Sequence, residues 1–230
     1  MSSIAIQFKK AMKEKNDSDR MGGLSESYEA DSIRQAADDY DQFQLLVNSM
    51  EVDLRRLSGL SHSERDKLKA ADLIPKYQPI ALDYLESGDS YRNPVLVEVI
   101  IMMMDIGDIP AALELALPAV EQKQPMPRRF KKTNLPTFIA DNVIAWSNAQ
   151  LARDKKIEPC FSNTFEAMMD DGWKVPREVV AKFHKIAAEV AMKDGQLEQA
   201  LEHFIRASEI DPSGAKCATK IAQLKKKLGR

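Results

Sequence analysis

A helix, a glycine turn and a second helix occur in the same order twice in this 230-residue chain. The segment MDIGDIPAALELALPA (104–119) aligns with MKDGQLEQALEHFIRA (192–207), 88 residues further on. Glycine adopts the left-handed conformation that ends a helix at little steric cost, and the shared alanines allow close helix packing. The second copy, ending at Asp211-Pro212, is similar to a tetratricopeptide unit. The repeat predicts an all-α protein with a compact domain of helical hairpins.

Composition agrees with an α-rich protein, because 44% of the residues are hydrophobic, 30% are charged and only 9 are glycine. The net charge of −2 means that any contact with nucleic acid must come from local basic patches. The two cysteines show neither CxxC nor zinc-ligand spacing, which favours a reducing cytosol. No apolar run reaches the length of a signal peptide or a membrane span, so we expect a soluble, intracellular protein without a membrane partner.

Four segments differ in composition and periodicity. We predict a basic helix with a flexible linker at 1–30, a long heptad-bearing helix at 31–60, a helical-hairpin domain at 61–212 and a basic C-terminal helix at 213–230. Within the third segment, Pro75 suggests the first turn of a new helix, since proline is well tolerated there.

The heptad-bearing helix has apolar residues at alternating spacings of three and four, as in a left-handed coiled coil. This spacing predicts a seam for self-association. An amphipathic helix packed on its own domain would show a similar pattern, and both interpretations stay open. The residues proposed for oligomerisation are Ile33, Tyr40, Phe43, Val47, Met50, Leu54 and Leu57.

Three basic patches are candidates for binding anions or acidic partners. The first is the stripe of lysines beside the apolar face of the N-terminal helix, and the second is the proline-rich loop QPMPRRFKKTNLP (124–136), in which Pro125, Pro127 and Pro136 oppose regular helix. A solvated loop that only keeps the protein soluble is the alternative for the second. The cations of these two patches are Lys9, Lys10, Lys13, Lys15, Arg128, Arg129, Lys131 and Lys132. The third patch consists of Lys225, Lys226 and Lys227.

Catalytic motifs are absent from the sequence. Neither GxxxxGK[ST] nor GxGxxG occurs, and the three histidines lack metal-ligand spacing. Adjacent acids such as Asp38-Asp39 point in different directions on a helix and do not converge on one metal. We therefore predict no catalytic residue, no metal ligand and no cofactor, although a fold could bring distant acids together for two-metal chemistry.

Several blocks together resemble the small terminase subunit of Peduovirus-type temperate phages. They are LIPKYQPIALDYLESG (73–88), MMMDIGDIPAALELALPAVEQ (102–122), QPMPRRF followed by LPTFIADNVIAW, and DGQLEQALEHFIRASEIDP. The proline-rich basic block is the most specific, because helix packing alone does not produce prolines, cations and an aromatic residue at this spacing.

The resemblance implies a DNA-packaging role in the host cytoplasm. A small subunit of this kind forms an oligomer, which we predict to be a ring, binds double-stranded phage DNA at the packaging site and delivers it to a large ATPase-nuclease subunit. The resemblance makes the cations of the first two basic patches candidates for DNA binding and the third patch a candidate contact with the large subunit. Members are also labelled as endonuclease subunits, which leaves a Mg²⁺-dependent endonuclease as one alternative. A helical-repeat scaffold that binds only protein is the other.

Overall fold

A computed structural model describes the backbone of residues 26–230 and the side chains from Tyr40 onward. Within that part every regular element is helical, which confirms the all-α prediction. The helices of the first half are α1 (Glu26–Arg55), α2 (His62–Leu68), α3 (Ile74–Glu86), α4 (Pro94–Ile106) and α5 (Ile109–Glu121). Those of the second half are α6 (Leu135–Leu151), α7 (Cys160–Asp170), α8 (Arg177–Lys193), α9 (Leu197–Ile210) and α10 (Ala218–Lys227). None of these described helices is long and apolar enough to cross a bilayer.

The chain divides into two compact units, unit 1 (Met1–Arg128) and unit 2 (Arg129–Arg230). In unit 1 the apolar helix α4 is buried on nearly all sides and packs against α3 and α5. In unit 2 the closest helix pair is α8 with α9, and α10 packs on α9. Each unit thus buries apolar helix faces of its own.

Both glycine turns of the sequence repeat end helices as expected. Gly107 follows α4 with φ of 80°, and Gly195 lies between α8 and α9 with φ of 75°. Asp108 then caps α5 by accepting a hydrogen bond from the amide of Ala111. The predicted hairpins therefore form α4–α5 and α8–α9.

The predicted helix start at Pro75 is confirmed to within one residue, because α3 begins at Ile74 and Pro75 lies in its first turn. No turn separates this helix from α2, however, since a π-helical segment at Lys69–Leu73 joins α2 to α3. In an α-helix the ring of Pro75 would clash with the carbonyl four residues earlier, and the wider π turn relieves that clash. The amide of Ile74 accordingly donates to the carbonyl of Lys69, five residues back.

The C-terminal part of α1 is fastened to α3 by a buried carboxylate. Asp53 accepts hydrogen bonds from Lys76 Nζ at 2.7 Å, the Tyr77 hydroxyl at 2.8 Å and Arg56 Nη1 at 3.0 Å. The bond from Lys76 contributes most to lowering the pKa of Asp53 to about 2. The carboxylate therefore stays ionised at neutral pH and fixes the position of α1 against α3.

Candidate nucleic-acid interface

A buried polar network holds the first residues of the basic loop against unit 1. The side-chain amide of Gln124 donates to the carbonyl of Tyr91 at 2.7 Å and to the hydroxyl of Tyr84 at 2.9 Å. Its oxygen accepts the backbone amide of Asn93 at 2.9 Å. Gln122 adds a bond from its side-chain amide to the carbonyl of Asp89 at 2.8 Å. The loop therefore leaves α5 from a fixed point.

The four loop cations follow this anchor and are exposed: Arg128, Arg129, Lys131 and Lys132. The loop crosses from unit 1 to unit 2 between the two arginines. The guanidinium of Arg129 lies 4.9 Å from the ring centre of Phe130, within cation–π range. Phe130 in turn packs edge-on against Phe138 of α6, with ring centres 5.4 Å apart. An aromatic pair thus anchors the residues that carry the charge.

The loop ends at Asn134, which caps α6. Its side-chain oxygen accepts the amide of Thr137 at 2.8 Å, and its side-chain nitrogen donates to the carbonyl of Lys174 at 2.7 Å. Helix α6 starts at Leu135, so Pro136 belongs to its first turn and not to the loop as the sequence suggested. Both ends of the basic loop are therefore attached to regular structure.

The lysines of the third basic patch are exposed on α10, and their contact with a large subunit stays a prediction. The first patch lies outside the described residues, since Lys9, Lys10, Lys13 and Lys15 precede Glu26. DNA binding by those four lysines stays a prediction.

The predicted oligomerisation seam lies partly inside unit 1. Met50 is 2% exposed, and Phe43 packs edge-on against Tyr91 with ring centres 5.5 Å apart. Val47, Leu54 and Leu57 are half-buried, whereas Tyr40 is exposed and the side chain of Ile33 lies outside the described residues. The opposite face of α1 exposes Leu45 at 67% and Val52 at 55%, one heptad apart. Apolar surface suitable for a partner is thus present on a face that the heptad argument did not select.

The part of the chain with described side chains contains no group of three or more potential ligands that could hold a metal ion. It does pair two histidines that sequence spacing did not connect: His184 of α8 and His203 of α9, with Nδ1 atoms 3.0 Å apart. Burial, followed by the neighbouring His203, lowers the pKa of His184 to about 4. Burial also lowers the pKa of His203, so the pair is uncharged at neutral pH and provides no positive charge for an anion.

The family model and the relatives that match this chain all describe terminase subunits. Residues 47–178, more than half of the chain, match the model of the family described as "Phage small terminase subunit". That range includes the whole basic loop and ends at the start of α8. No solved structure matches the chain.

Two curated relatives are phage proteins. The chain is 32% identical over 157 residues to the "Probable terminase, endonuclease subunit" of Haemophilus phage HP1, covering 68% of this chain and 55% of that protein. It is 29% identical over 168 residues to the "Terminase, endonuclease subunit" of Escherichia phage P2, covering 73% of this chain and 67% of that protein. The chain therefore spans only about half the length of the first relative.

Proposed function

Because the chain belongs to the phage small terminase subunit family, we propose that it is an oligomeric DNA-binding adaptor. In this role it recognises the packaging site of a viral genome in the host cytoplasm and delivers that DNA to a large ATPase-nuclease subunit. The observation that carries the proposal is the basic loop, which lies within the family match and presents four exposed cations between two fixed ends. Phosphate contacts of this kind position a protein on DNA.

Neutralising the basic loop is expected to weaken DNA binding. We expect the combined substitutions Arg128→Gln, Arg129→Gln, Lys131→Gln and Lys132→Gln to lower affinity for packaging-site DNA about 10- to 60-fold at about 0.1 M salt. This range corresponds to the loss of one or two phosphate contacts, each of which contributes about 0.9 to the slope of log affinity against log salt. Fluorescence anisotropy at several salt concentrations measures both quantities.

A reference variant with the same charge change separates the loop from overall charge. It carries Arg153→Gln, Lys155→Gln, Lys156→Gln and Lys182→Gln, four exposed cations of unit 2 outside the basic loop. We expect its affinity to stay within about twofold of the parent protein, since long-range charge effects are screened at this salt. Equal losses in both variants would contradict a specific role for the loop.

Self-association is the second part of the proposal, because several copies of a weak basic contact bind DNA with high avidity. Its support is the heptad spacing in the 30-residue helix α1, together with exposed Leu45 and Val52. We propose a coiled-coil-like contact through α1, in which the half-buried seam residues complete their burial against another copy. Light scattering is expected to give a multiple of the 25.9 kDa chain mass, and a stable monomer at micromolar concentration would contradict this contact.

The hairpins α4–α5 and α8–α9 are, on this proposal, tetratricopeptide-like units that position the loop between them in sequence. Their matching left-handed glycines and small residues support the likeness. An experimental structure in which the two hairpins differ in helix crossing angle would contradict it. The contact of Lys225, Lys226 and Lys227 with the large subunit stays a prediction.

A Mg²⁺-dependent endonuclease is the second candidate, favoured by the names of the two relatives, which are both called endonuclease subunits. Its acids would have to be assembled between copies or with the undescribed residues, because the described side chains form no metal cluster. Nicking of packaging-site DNA by the purified protein with Mg²⁺ would support this candidate. Cleavage that requires the large subunit would assign the chemistry to that partner.

A further inference from the structure

We infer that the C-terminal helix forms a second DNA surface, which contacts phosphates without reading sequence. The C-terminal basic surface consists of Lys216, Lys220, Lys225, Lys226, Lys227 and Arg230. The inference rests on the proposed function, because it assumes that the protein binds duplex DNA. It adds a place of contact outside the family match, which ends at residue 178.

The charge of unit 2 is concentrated at this surface. Unit 2 contains 18 Lys and Arg against 13 Asp and Glu, whereas unit 1 contains 15 against 22. The side-chain charges of residues 129–211 nearly cancel, with 12 cations against 13 acids. Residues 212–230 contain six cations and no acid. The C-terminal basic surface thus accounts for the positive excess of unit 2, and its field is not cancelled by nearby acids along the chain.

Packing leaves all six cations directed to solvent. Leu224 is 1% exposed and belongs to the buried cluster of α8, α9 and α10, against which Ile221 and Leu228 also pack. These three residues form one stripe along α10, and the six cations are exposed around it. Among the described residues, none of the six forms an ion pair. Four of the charges are therefore carried by the anchored helix α10, with Lys216 just before it and Arg230 just after it, and all six remain available to an external anion.

The chemistry of the surface fits DNA better than a protein partner. The exposed part of α10 contains no large apolar side chain, since its apolar residues larger than alanine lie in the stripe against unit 2. Protein interfaces have an apolar core and are depleted in lysine, whereas five of the six cations here are lysines. Lysine binds phosphate as a mobile point charge, and Thr219 and Gln223 add exposed polar groups beside it. Such a surface recognises a phosphate backbone and carries no information about base sequence.

The test is a variant with Lys220→Gln, Lys225→Gln, Lys226→Gln and Lys227→Gln in the full chain, compared with the reference variant defined above. Binding to a short duplex of arbitrary sequence is measured by anisotropy across a salt series. We expect the affinity to fall about 10- to 60-fold at about 0.1 M salt and the salt slope to fall by about 1 to 2, as for one or two lost phosphate contacts. The same fold-loss is expected on packaging-site DNA, because the contact does not read sequence.

The outcomes separate this inference from the proposed function. Glutamine is a good helix former, so an unchanged circular dichroism spectrum and melting temperature confirm that α10 remains folded. DNA binding unchanged in the α10 variant, while the parent protein binds well, overturns the inference and leaves the proposed function standing. Loss of large-subunit capture with unchanged DNA binding also overturns it and assigns the surface to that partner. Absence of DNA binding by the parent protein overturns the inference and the proposed function together.

Discussion

Replacing Gln124 by alanine is expected to lower the free energy of unfolding by about 2–4 kcal/mol. The substitution leaves the buried backbone amide of Asn93 without its partner. It also removes the bonds that Gln124 donates to the carbonyl of Tyr91 and the hydroxyl of Tyr84, which keep each other as partners. A buried polar group without a partner costs about 1–3 kcal/mol, and water entering the vacated space offsets part of that cost. Urea denaturation followed by circular dichroism measures the difference.

The hydrogen bonds around the hydroxyl of Tyr84 require a donor from Gln124, because this hydroxyl stays protonated and has a single proton to donate. Burial, followed by the nearby Asp89 carboxylate, raises the pKa of Tyr84 to about 12. The hydroxyl therefore lies as a neutral group between the carbonyl of Tyr91 at 2.6 Å and Gln122 Oε1 at 2.8 Å, and it can donate to only one of them. The amide of Gln124 supplies the additional donor that the cluster requires.

An exposed glutamine on α1 provides the control. We expect Gln42→Ala to change stability by less than about 0.5 kcal/mol, because Gln42 lies at the surface of the same unit. If Gln124→Ala were as mild as this control, the network would not stabilise unit 1. A folded Gln124→Ala variant that also binds DNA more weakly would show that the anchor positions the basic loop.

Local chemistry explains what could be predicted from the sequence. The turns at Gly107 and Gly195 depend on residues within a few positions, and the proline-rich composition of the basic loop likewise acts on neighbouring backbone. The π segment was missed although its cause is also local. A proline at position 75 indicates the first turn of a helix, but no local rule shows whether the residues before it form a turn or a π segment.

Long-range contacts explain most of what could not be predicted. Gln124 meets Tyr84 across 40 residues of sequence, and His184 meets His203 from another helix, so no spacing rule connects either pair. The seam of α1 shows a different limit: apolar spacing marks Met50 for burial but does not say whether its own unit or another copy covers it. In the candidate interface, the sequence identified the loop cations but not the anchors that present them.

Replacing Phe204 by alanine is expected to destabilise unit 2 by about 3–5 kcal/mol. Phe204 is 2% exposed within the cluster that joins α8, α9 and α10. Much of the surrounding cluster is alanine, at positions that include Ala181, Ala188 and Ala200. These short side chains have no rotamers that could fill the vacated volume, so we expect a persistent cavity and a cost towards the upper end of the range.

Tryptophan fluorescence is the appropriate measurement, because both tryptophans of the chain, Trp146 and Trp173, belong to unit 2. The urea midpoint of this signal should fall strongly for Phe204→Ala and by less for Phe204→Leu, which retains more of the volume. Gln199→Ala, an exposed change on the same helix, is the control and should shift the urea midpoint little. Equal midpoints for the alanine and leucine variants would contradict a cost set by cavity volume.

Phe204→Ala should also weaken DNA binding under conditions where most of the protein remains folded. Leu224 of α10 is buried in the same cluster, so the loss of packing loosens the attachment of α10 and of the lysines that it carries.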